Sequence, residues 1–125
     1  KKIKKILSLK KKIYFKFKHL LKNSKILFPK ENKNLTSSYW LIVIFFKDKK
    51  IRDKIFIFLK KNKIETRPTF FPIHSMDMYK VKKNFKYAKS LSDRGLCLPS
   101  YPELKNSEIF RISNLIKSFL KKNSK

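Results

Sequence analysis

A fifteen-residue stretch from Glu65 to Tyr79 holds the side chains of this chain that are best suited to bind a ligand. It contains Arg67, one of only four arginines, and His74, one of only two histidines. A guanidinium pairs with phosphate or carboxylate through two parallel hydrogen bonds. An imidazole donates, accepts or carries a proton near neutral pH. These two residues are therefore the first candidates for a functional site.

The prolines of this stretch predict a strand end followed by a loop. Arg67 precedes Pro68, and a residue before proline is pushed toward extended geometry. Pro68 and Pro72 lack a backbone donor and cannot lie in the middle of a sheet, so the chain must leave the sheet here. Loops held by rigid elements are common positions for functional groups. Three apolar side chains are expected to anchor the departing loop on a core: Phe70, Phe71 and Ile73.

The same residues also have purely structural interpretations. His74 is accounted for as a loop histidine that bonds to the backbone, and Arg67 as the partner of Glu65 or Asp77. Three further side chains of the stretch are accounted for by packing alone: Met76, Met78 and Tyr79. The residues by themselves indicate one candidate loop and no particular reaction.

The cysteine and histidine content argues against a metal site or a thiol nucleophile. One cysteine and two distant histidines cannot form a structural zinc site. A nucleophilic pair of Cys97 and His74 is conceivable, but Cys97 lies in the sequence Leu-Cys-Leu, which is typical of a small buried thiol. His19 lies in a basic helix and is expected to be exposed. We therefore assign no catalytic residue and no metal ligand.

Length and composition predict one folded domain. The chain has 125 residues and 15.1 kDa, with 42% hydrophobic and 14% aromatic residues, which suffices for a core. The longest apolar run, from Trp40 to Phe46, is too short to span a bilayer, and the first segment lacks the pattern of a secretory signal. A single cysteine suits the reducing cytoplasm. The first residue is not methionine, so we expect a piece of a longer protein.

The formal net charge of +26 raises the possibility of a polyanionic partner. Thirty of the thirty-four basic residues are lysine, spread along nearly the whole chain, and the one glycine rules out a glycine-rich phosphate loop. Lysine, isoleucine, asparagine and phenylalanine are all encoded by AT-rich codons, so a biased genome explains their joint excess. We expect salt-sensitive sticking to nucleic acid but no specific nucleic-acid partner and no membrane.

Hydrophobic periodicity predicts four helices. The first covers Lys1–Asn23 and is expected to pack its apolar stripe on its own domain or a partner, the alternative being a membrane surface. Asp48 is predicted to cap the second, which runs to Lys61, and Asn62 to adopt the left-handed conformation after it. The third is predicted over Asn84–Asp93, and the fourth starts at a cap provided by Asn106 or Ser107, with Glu108 in its first turn.

Each predicted helix has a set of apolar residues that is expected to face inward. These residues are Ile3, Ile6, Leu7, Ile13, Tyr14, Phe17, Leu20 and Leu21 in the first helix, Ile51, Ile55, Phe58 and Leu59 in the second, Tyr87, Ala88 and Leu91 in the third, and Ile109, Ile112, Leu115, Ile116 and Phe119 in the fourth.

Three strands are predicted between these helices, at Ser38–Phe46, Lys63–Thr69 and Leu96–Pro99. A short extended piece is expected near Ile26–Phe28, and Gly95 is expected to end the third helix. The alternation of helices and strands predicts an α/β (α+β) fold, in which helices cover at least one face of a few-stranded sheet.

Two separated motifs resemble the C-terminal domain of the DegT/DnrJ/StrS sugar aminotransferases. The first is Glu-Thr-Arg-Pro-Thr-Phe-Phe-Pro-Ile-His, from Glu65 to His74, followed by Met78-Tyr79. The second is Leu-Ser-Asp-Arg-Gly-Leu-Cys-Leu-Pro, from Leu91 to Pro99. Their form is most similar to perosamine-synthase-type members, which aminate a GDP-linked 4-keto-6-deoxy sugar.

The resemblance implies the small C-terminal domain of a fold-type I aminotransferase that uses pyridoxal phosphate and glutamate. Residues 1–23 would be the helix that links the large and small domains, and residues 24–125 the small domain. The large domain, which supplies the Schiff-base lysine in the family, is not in this chain. The chain alone is therefore expected to be inactive, and no cofactor-binding residue is assigned.

The resemblance also implies site residues and a partner. Arg67 and His74 would lie near the nucleotide-sugar, with Phe71 and Tyr79 lining its pocket, in an enzyme that is a homodimer. Two positions differ from the family pattern: Asn62-Lys63 replaces a usual glycine, and Asp77 replaces a common proline. The rival hypotheses are a small basic protein that binds nucleic acid or an anionic membrane, and the product of a decayed gene.

Overall fold

The helices form where apolar residues recur every three to four positions. The computed structural model describes residues 1–30, 32, 34–79, 83 and 85–123. Within these residues there are four α-helices, and each predicted helix is present with its ends within three residues of the prediction. Their bounds are Lys2–Leu20 (α1), Lys49–Lys61 (α2), Lys86–Arg94 (α3) and Asn106–Lys122 (α4).

Three short strands of the described chain form one antiparallel sheet in the order β1-β3-β2. They are β1 (Ile42–Phe45), β2 (Arg67–Pro68) and β3 (Gly95–Leu98). Cys97 lies opposite Val43 on one side and Arg67 on the other. The extended piece expected near Ile26–Phe28 contributes a single bridge, between Leu27 and Phe45. β3 is thus the central strand, and the Arg67 strand is an edge.

The core lies between the helices and the sheet. Burial alternates along β1, where Ile42 and Ile44 are fully buried, whereas all four residues of β3 are buried. α4 packs against both α1 and α2, and Ile109, Ile112 and Ile116 form its buried stripe, as predicted. The predicted α/β class, a small sheet covered by helices, is confirmed.

Only the second half of the α1 stripe enters this core. Ile13, Tyr14 and Phe17 are buried, whereas Ile3 and Leu7 are exposed. The prediction that the stripe packs on its own domain is thus confirmed for the second half alone. For the first two turns, over which the described residues place no element, packing on a partner stays a prediction. Those turns leave apolar surface uncovered.

The third strand prediction is confirmed within one residue, whereas the first two were too long for an identifiable backbone reason. Tyr39 has φ of 49°, and a left-handed residue interrupts extended geometry, so β1 begins at Ile42 and not at Ser38. The strand predicted over Lys63–Thr69 contains only Arg67 and Pro68. Pro68 has no N–H to donate to a ladder.

The predicted inward face of α3 is wrong. Tyr87, Ala88 and Leu91 are all exposed, Tyr87 at 89%. α3 contacts α2 without burying any of its own residues. Asn84, where the helix was predicted to start, lies outside the described residues, and the helix begins at Lys86.

Two helix ends test the capping predictions. The Asp48 carboxylate accepts a hydrogen bond from the Ile51 N–H at 2.9 Å, which confirms Asp48 as the cap of α2. For α4 the predicted cap, Asn106 or Ser107, is wrong because both lie inside the helix. There the N–H of Lys105 donates to the Glu108 carboxylate at 2.9 Å.

α2 ends in a motif that needs a left-handed residue, and that residue is Lys63. The N–H of Lys63 donates to the Lys60 carbonyl, and the N–H of Ile64 to the Leu59 carbonyl, both at 3.0 Å. This pair of bonds is the Schellman pattern, in which the first residue beyond the cap is left-handed. Lys63 has φ of 59°, whereas Asn62 has φ of −88°. The prediction for Asn62 is wrong by one residue.

We expect Lys63→Gly to stabilise the fold by about 0.5–1 kcal/mol, since relief of left-handed strain (about 1–2 kcal/mol) exceeds the added entropy of glycine in the unfolded chain (about 0.5–1 kcal/mol). Urea unfolding measures the change. Asn62→Gly is the matched control and should destabilise, because φ at Asn62 is negative and its side-chain amide donates to the Phe58 carbonyl. Equal effects of the two variants would contradict the strain assignment.

Candidate functional site

Arg67 lies on the edge strand with its guanidinium in solvent. Its side chain is 79% exposed, and its Nη2 lies 3.1 Å from the Glu65 carboxylate. Of the two partners considered from the sequence, the structure selects Glu65 over Asp77. An ion pair between two exposed side chains contributes little to stability. The guanidinium can therefore exchange Glu65 for a ligand anion at small cost.

A cleft of about 450 Å³ lies beside Arg67, between the β2–β3 edge and the start of α4. Arg67, Tyr101, Glu108 and Arg111 supply polar groups to its lining. The Tyr101 hydroxyl lies 3.2 Å from the Glu108 carboxylate, and Arg111 donates to the Asn62 carbonyl at 2.8 Å. Desolvation and the nearby Glu108 carboxylate raise the pKa of Tyr101, so its hydroxyl remains a donor at neutral pH.

Tyr101 and Arg111 were not identified from the sequence as site residues. They follow Arg67 by more than thirty positions, and only the fold brings them to the same cleft. The scarcity of arginine was the one available signal, since Arg111 is the last of four arginines in a chain of thirty lysines.

Cys97 also lines this cleft, but as a buried thiol. It is 8% exposed, and burial raises its pKa, with a smaller opposing effect from the Arg67 charge. A neutral thiol is a poor nucleophile. His74 packs elsewhere, against Phe85, so the structure does not pair the two residues. The buried-thiol interpretation is confirmed.

The loop that follows β2 is exposed and does not anchor on the core. It contains two short 3₁₀ helices, Ile73–Ser75 and Asp77–Tyr79. The expected anchors Phe70, Phe71 and Ile73 are each more than half exposed, and so is Tyr79. The anchoring prediction is wrong because the loop leaves from an edge strand, with nothing in the described chain to cover it.

Ring contacts hold the loop at two points instead. The His74 ring lies 4.5 Å from that of Phe85, with the planes inclined by 40°. Phe70 stacks on Trp40 at 6.1 Å with an angle of 26°. His74 is half-buried by its contact, whereas Trp40 and Phe70 both stay exposed. The loop is therefore tied to two other segments while most of its apolar surface faces solvent.

The four predicted binding residues are divided between two neighbouring surfaces. Arg67 lines the cleft, while Phe71, His74 and Tyr79 lie on the exposed loop and do not contribute to the cleft lining. A concentration of exposed apolar side chains is characteristic of a surface that meets a ligand or another protein. In this chain the three loop side chains therefore form an open surface beside the cleft and do not enclose a pocket with Arg67.

Metal and membrane sites were also considered. Among the described residues, no group of three or more histidine, cysteine and carboxylate side chains lies close enough to hold a metal ion. None of the helices described has the length and apolar composition that crossing a bilayer needs.

Comparison with known sequences points to one group of enzymes. A sequence model of the DegT/DnrJ/EryC1/StrS aminotransferase family matches residues 1–117. The chain is 36% identical over 98 residues to the GDP-perosamine synthase of Escherichia coli O157:H7, a match covering 78% of this chain and 27% of that protein. It is 38% identical over 96 residues to the GDP-perosamine synthase of Vibrio cholerae, covering 72% and 26%. The chain thus spans about a quarter of the length of these curated relatives.

Comparison with solved structures gives the same placement for the fold. The aminotransferase TlmJ from Streptoalloteichus hindustanus superposes with a TM-score of 0.90 at 18% identity, covering 98% of this chain and 34% of that one. A DegT DnrJ EryC1 StrS aminotransferase from Brucella abortus superposes with a TM-score of 0.80 at 21% identity, covering 92% and 31%. The chain has the fold of one part of these aminotransferases, which confirms the fold-class prediction.

The buried Cys97 thiol should react slowly with iodoacetamide at pH 8 in the folded chain and rapidly in denaturant. Burial raises its pKa, and only the thiolate is alkylated. Intact mass against time measures the rate. Equal rates in the folded and unfolded states would show that the thiol is accessible.

Proposed function

Because this chain belongs to the DegT/DnrJ/EryC1/StrS aminotransferase family, we propose that it is the C-terminal small domain of a nucleotide-sugar aminotransferase. Residues 1–23 form the helix that links the two domains, and residues 24–125 form the small domain. The observation that carries the proposal is the unequal coverage of the match. The same alignment takes up 78% of this chain but only 27% of a GDP-perosamine synthase.

The complete enzyme transfers an amino group from glutamate to the keto carbon of a GDP-linked 4-keto-6-deoxy sugar, in the reducing cytoplasm. The names of the two relatives with the identities given above support this substrate class. Pyridoxal phosphate, the cofactor that the family implies, carries the amino group and acts as an electron sink when bound.

The residues of this chain do not fit that cofactor by themselves. Of the lysines, Lys63 lines the cleft but is exposed. Burial lowers the pKa of Lys10, but its Nζ donates to the Ser100 carbonyl. Neither lysine stands, among the described residues, in an enclosed cradle with an acidic group for the pyridine nitrogen. The chain therefore contributes to the sugar side of the reaction, and the large domain supplies the cofactor site.

Arg67 is the residue of this chain best placed to bind the diphosphate of the nucleotide-sugar. Its guanidinium is exposed and points from an edge strand toward the cleft, and among the residues that the structure describes its ion-pair partner is the exposed Glu65. Two phosphate oxygens match the fork of a guanidinium. Binding of the diphosphate would replace a weak surface pair by charge-assisted bonds.

His74, Phe71 and Tyr79 are assigned to the sugar. The packing of His74 against Phe85 fixes the ring, and an imidazole of either charge state donates to a hydroxyl. Phe71 and Tyr79 are exposed on the same loop and would provide apolar surface for the sugar ring. The open loop would become a pocket only when the large domain or the second subunit of a homodimer covers it.

A second candidate is a small basic protein that binds nucleic acid or an anionic membrane. The net charge of +26 and the exposed apolar start of α1 favour it. A salt titration separates the candidates, since nonspecific lysine contacts lose affinity steeply with salt. Sequence or lipid selectivity that survives physiological ionic strength would support this second candidate. The third hypothesis, a decayed gene, predicts an unfolded or aggregating chain.

A chimera tests the main proposal. This chain replaces the matching segment of the Vibrio cholerae GDP-perosamine synthase, and glutamate-dependent amination of the GDP-linked 4-keto-6-deoxy sugar is measured. We expect activity within about 10- to 100-fold of the parent, because a 1 Å misplacement at a domain boundary can cost about 100-fold.

The control is the same enzyme with its C-terminal segment deleted, which should be inactive. A folded, cofactor-loaded chimera with no activity toward any nucleotide-sugar would contradict the proposal. Activity with a dTDP-sugar in place of the GDP-sugar would keep the family function and change the substrate.

In the active chimera, Arg67→Ala should raise KM for the nucleotide-sugar by about 10- to 100-fold, the effect of losing a charge-assisted hydrogen bond of about 1.5–3 kcal/mol. The melting temperature should stay unchanged, because the Glu65 pair is exposed. Lys54→Ala removes one exposed charge from α2 and is the matched control. A similar KM for both variants would exclude Arg67 as a diphosphate ligand.

A further inference from the structure

Gly95, the only glycine of the chain, stands where there is no room for a side chain, although its backbone conformation would suit any residue. Gly95 has φ of −84° and ψ of 142°, an extended geometry open to any residue. A Cβ at this position would lie 2.4 Å from Cγ2 and 2.5 Å from Oγ1 of Thr69, and 2.9 Å from the Leu91 carbonyl. Side-chain atoms do not approach so closely. The side chain of Thr69 fills the space that a side chain at position 95 would occupy.

Thr69 donates two hydrogen bonds around that point. Its N–H donates to the Gly95 carbonyl at 3.2 Å. Its hydroxyl donates to the Ser92 carbonyl at 3.0 Å, in the last turn of α3, and lies 3.4 Å from the Leu91 carbonyl. The Leu91 carbonyl already accepts from the Gly95 N–H, whereas the last carbonyls of a helix, such as that of Ser92, have no partner within it. Thr69 therefore caps α3 from outside and extends the pairing of β2 with β3 by one residue.

Thr69 lies at the start of the loop that carries His74, so its contact with Gly95 and α3 affects where that loop begins. Thr69 stands two residues after Arg67 and five before His74, at the point where the loop leaves the sheet. The loop side chains beyond it are mostly exposed. The next described tie is the stacking of Phe70 on the exposed Trp40. Thr69 is thus the firmest attachment of the loop to the sheet.

We propose that Thr69, seated in the space left by Gly95, is a positioning residue that fixes the His74 loop for binding of the nucleotide-sugar. The assignment of this loop to the sugar rests on the proposed function, whereas the effect of Thr69 on the position of the loop does not depend on it. Thr69 acts through Arg67 and His74 and does not touch the substrate. A role limited to capping α3 would change stability alone.

The first test uses this chain itself and needs no activity. Trp40 is its only tryptophan and stacks on Phe70, so its fluorescence reports the position of the loop. Thr69→Val keeps the side-chain shape and removes the hydroxyl donor. We expect a shifted Trp40 emission, because movement of the loop changes the stacking of Phe70 on Trp40. Thr69→Ser keeps the donor and should restore values close to those of the natural chain.

Gly95→Ala provides a second route to the same result if Thr69→Val folds poorly. The added methyl overlaps Thr69 and displaces it with its hydroxyl intact. The Trp40 signal should change in the same direction. The double variant Thr69→Ala/Gly95→Ala removes the overlap with Thr69, so its stability should exceed the value expected from adding the two single changes.

The second test uses the active chimera. Thr69→Val should raise KM for the nucleotide-sugar by about tenfold and leave the half-reaction with glutamate unchanged, because glutamate does not need the sugar pocket. Ser118→Ala is the control, since it removes a hydroxyl donating to the Leu115 carbonyl on the exposed side of α4. It should change neither the KM nor the Trp40 signal.

The outcomes separate the two proposals. A lower melting temperature for Thr69→Val with unchanged Trp40 emission and KM would reduce Thr69 to a helix cap and overturn the inference. A changed Trp40 signal in a chimera that aminates no sugar would retain the positioning role and refute the proposed function.

Discussion

The pairing of β3 with a strand on each side is the constraint on which the rest of the structure depends. The carbonyl of Gly95, at the start of β3, accepts hydrogen bonds from the N–H of Thr69 at 3.2 Å and from Arg52 at 3.3 Å. Arg52 is a buried arginine of α2, and its Nε lies 2.7 Å from the Asp53 carboxylate. One carbonyl therefore joins the sheet, the site loop and the helix behind them. A buried guanidinium is costly unless paired. Asp53 is carried by α2 itself, so the Gly95 carbonyl is the partner that another element must supply where α2 docks.

The sequence predicted the long helices and the apolar strand β3 well and the shortest strand poorly, for a physical reason. A helix of thirteen or more residues repeats its apolar pattern several times, which is why α2 and α4 were placed almost correctly. A two-residue strand such as β2 has no period to detect, and its place depends on β3. The face of α3 was mispredicted because apolar periodicity indicates which side could be buried and not whether anything covers it. The same uncertainty explains the exposed start of α1.

For the candidate site too, the sequence indicated residues that lie close together in the chain and missed those that only the fold brings together. Arg67 and His74 were selected as candidates because rare residue types stand close together in the sequence, and the prolines correctly indicated that the chain leaves the sheet there. The cleft partners Tyr101 and Arg111 depend on tertiary contacts and left no local signal. The close fit of Thr69 and Gly95 could not be inferred either, since only coordinates show a methyl group filling the place of a missing Cβ. The family, in contrast, was recognised from two short motifs, and the match over residues 1–117 confirms it.

The distribution of glycine bears on whether this lysine-rich chain is a decayed copy. Lys63 stands in a left-handed position suited to glycine, at a cost of about 1–2 kcal/mol. Gly95 stands where a side chain would overlap Thr69 and a backbone carbonyl. The chain thus tolerates a lysine where the cost is backbone strain, and its one glycine stands where a side chain would displace Thr69 at the start of the site loop. A decayed gene predicts a chain that does not fold. The closely packed core of isoleucine and leucine, together with the fit of Thr69 against Gly95, argues instead for a folded domain that holds the loop in place.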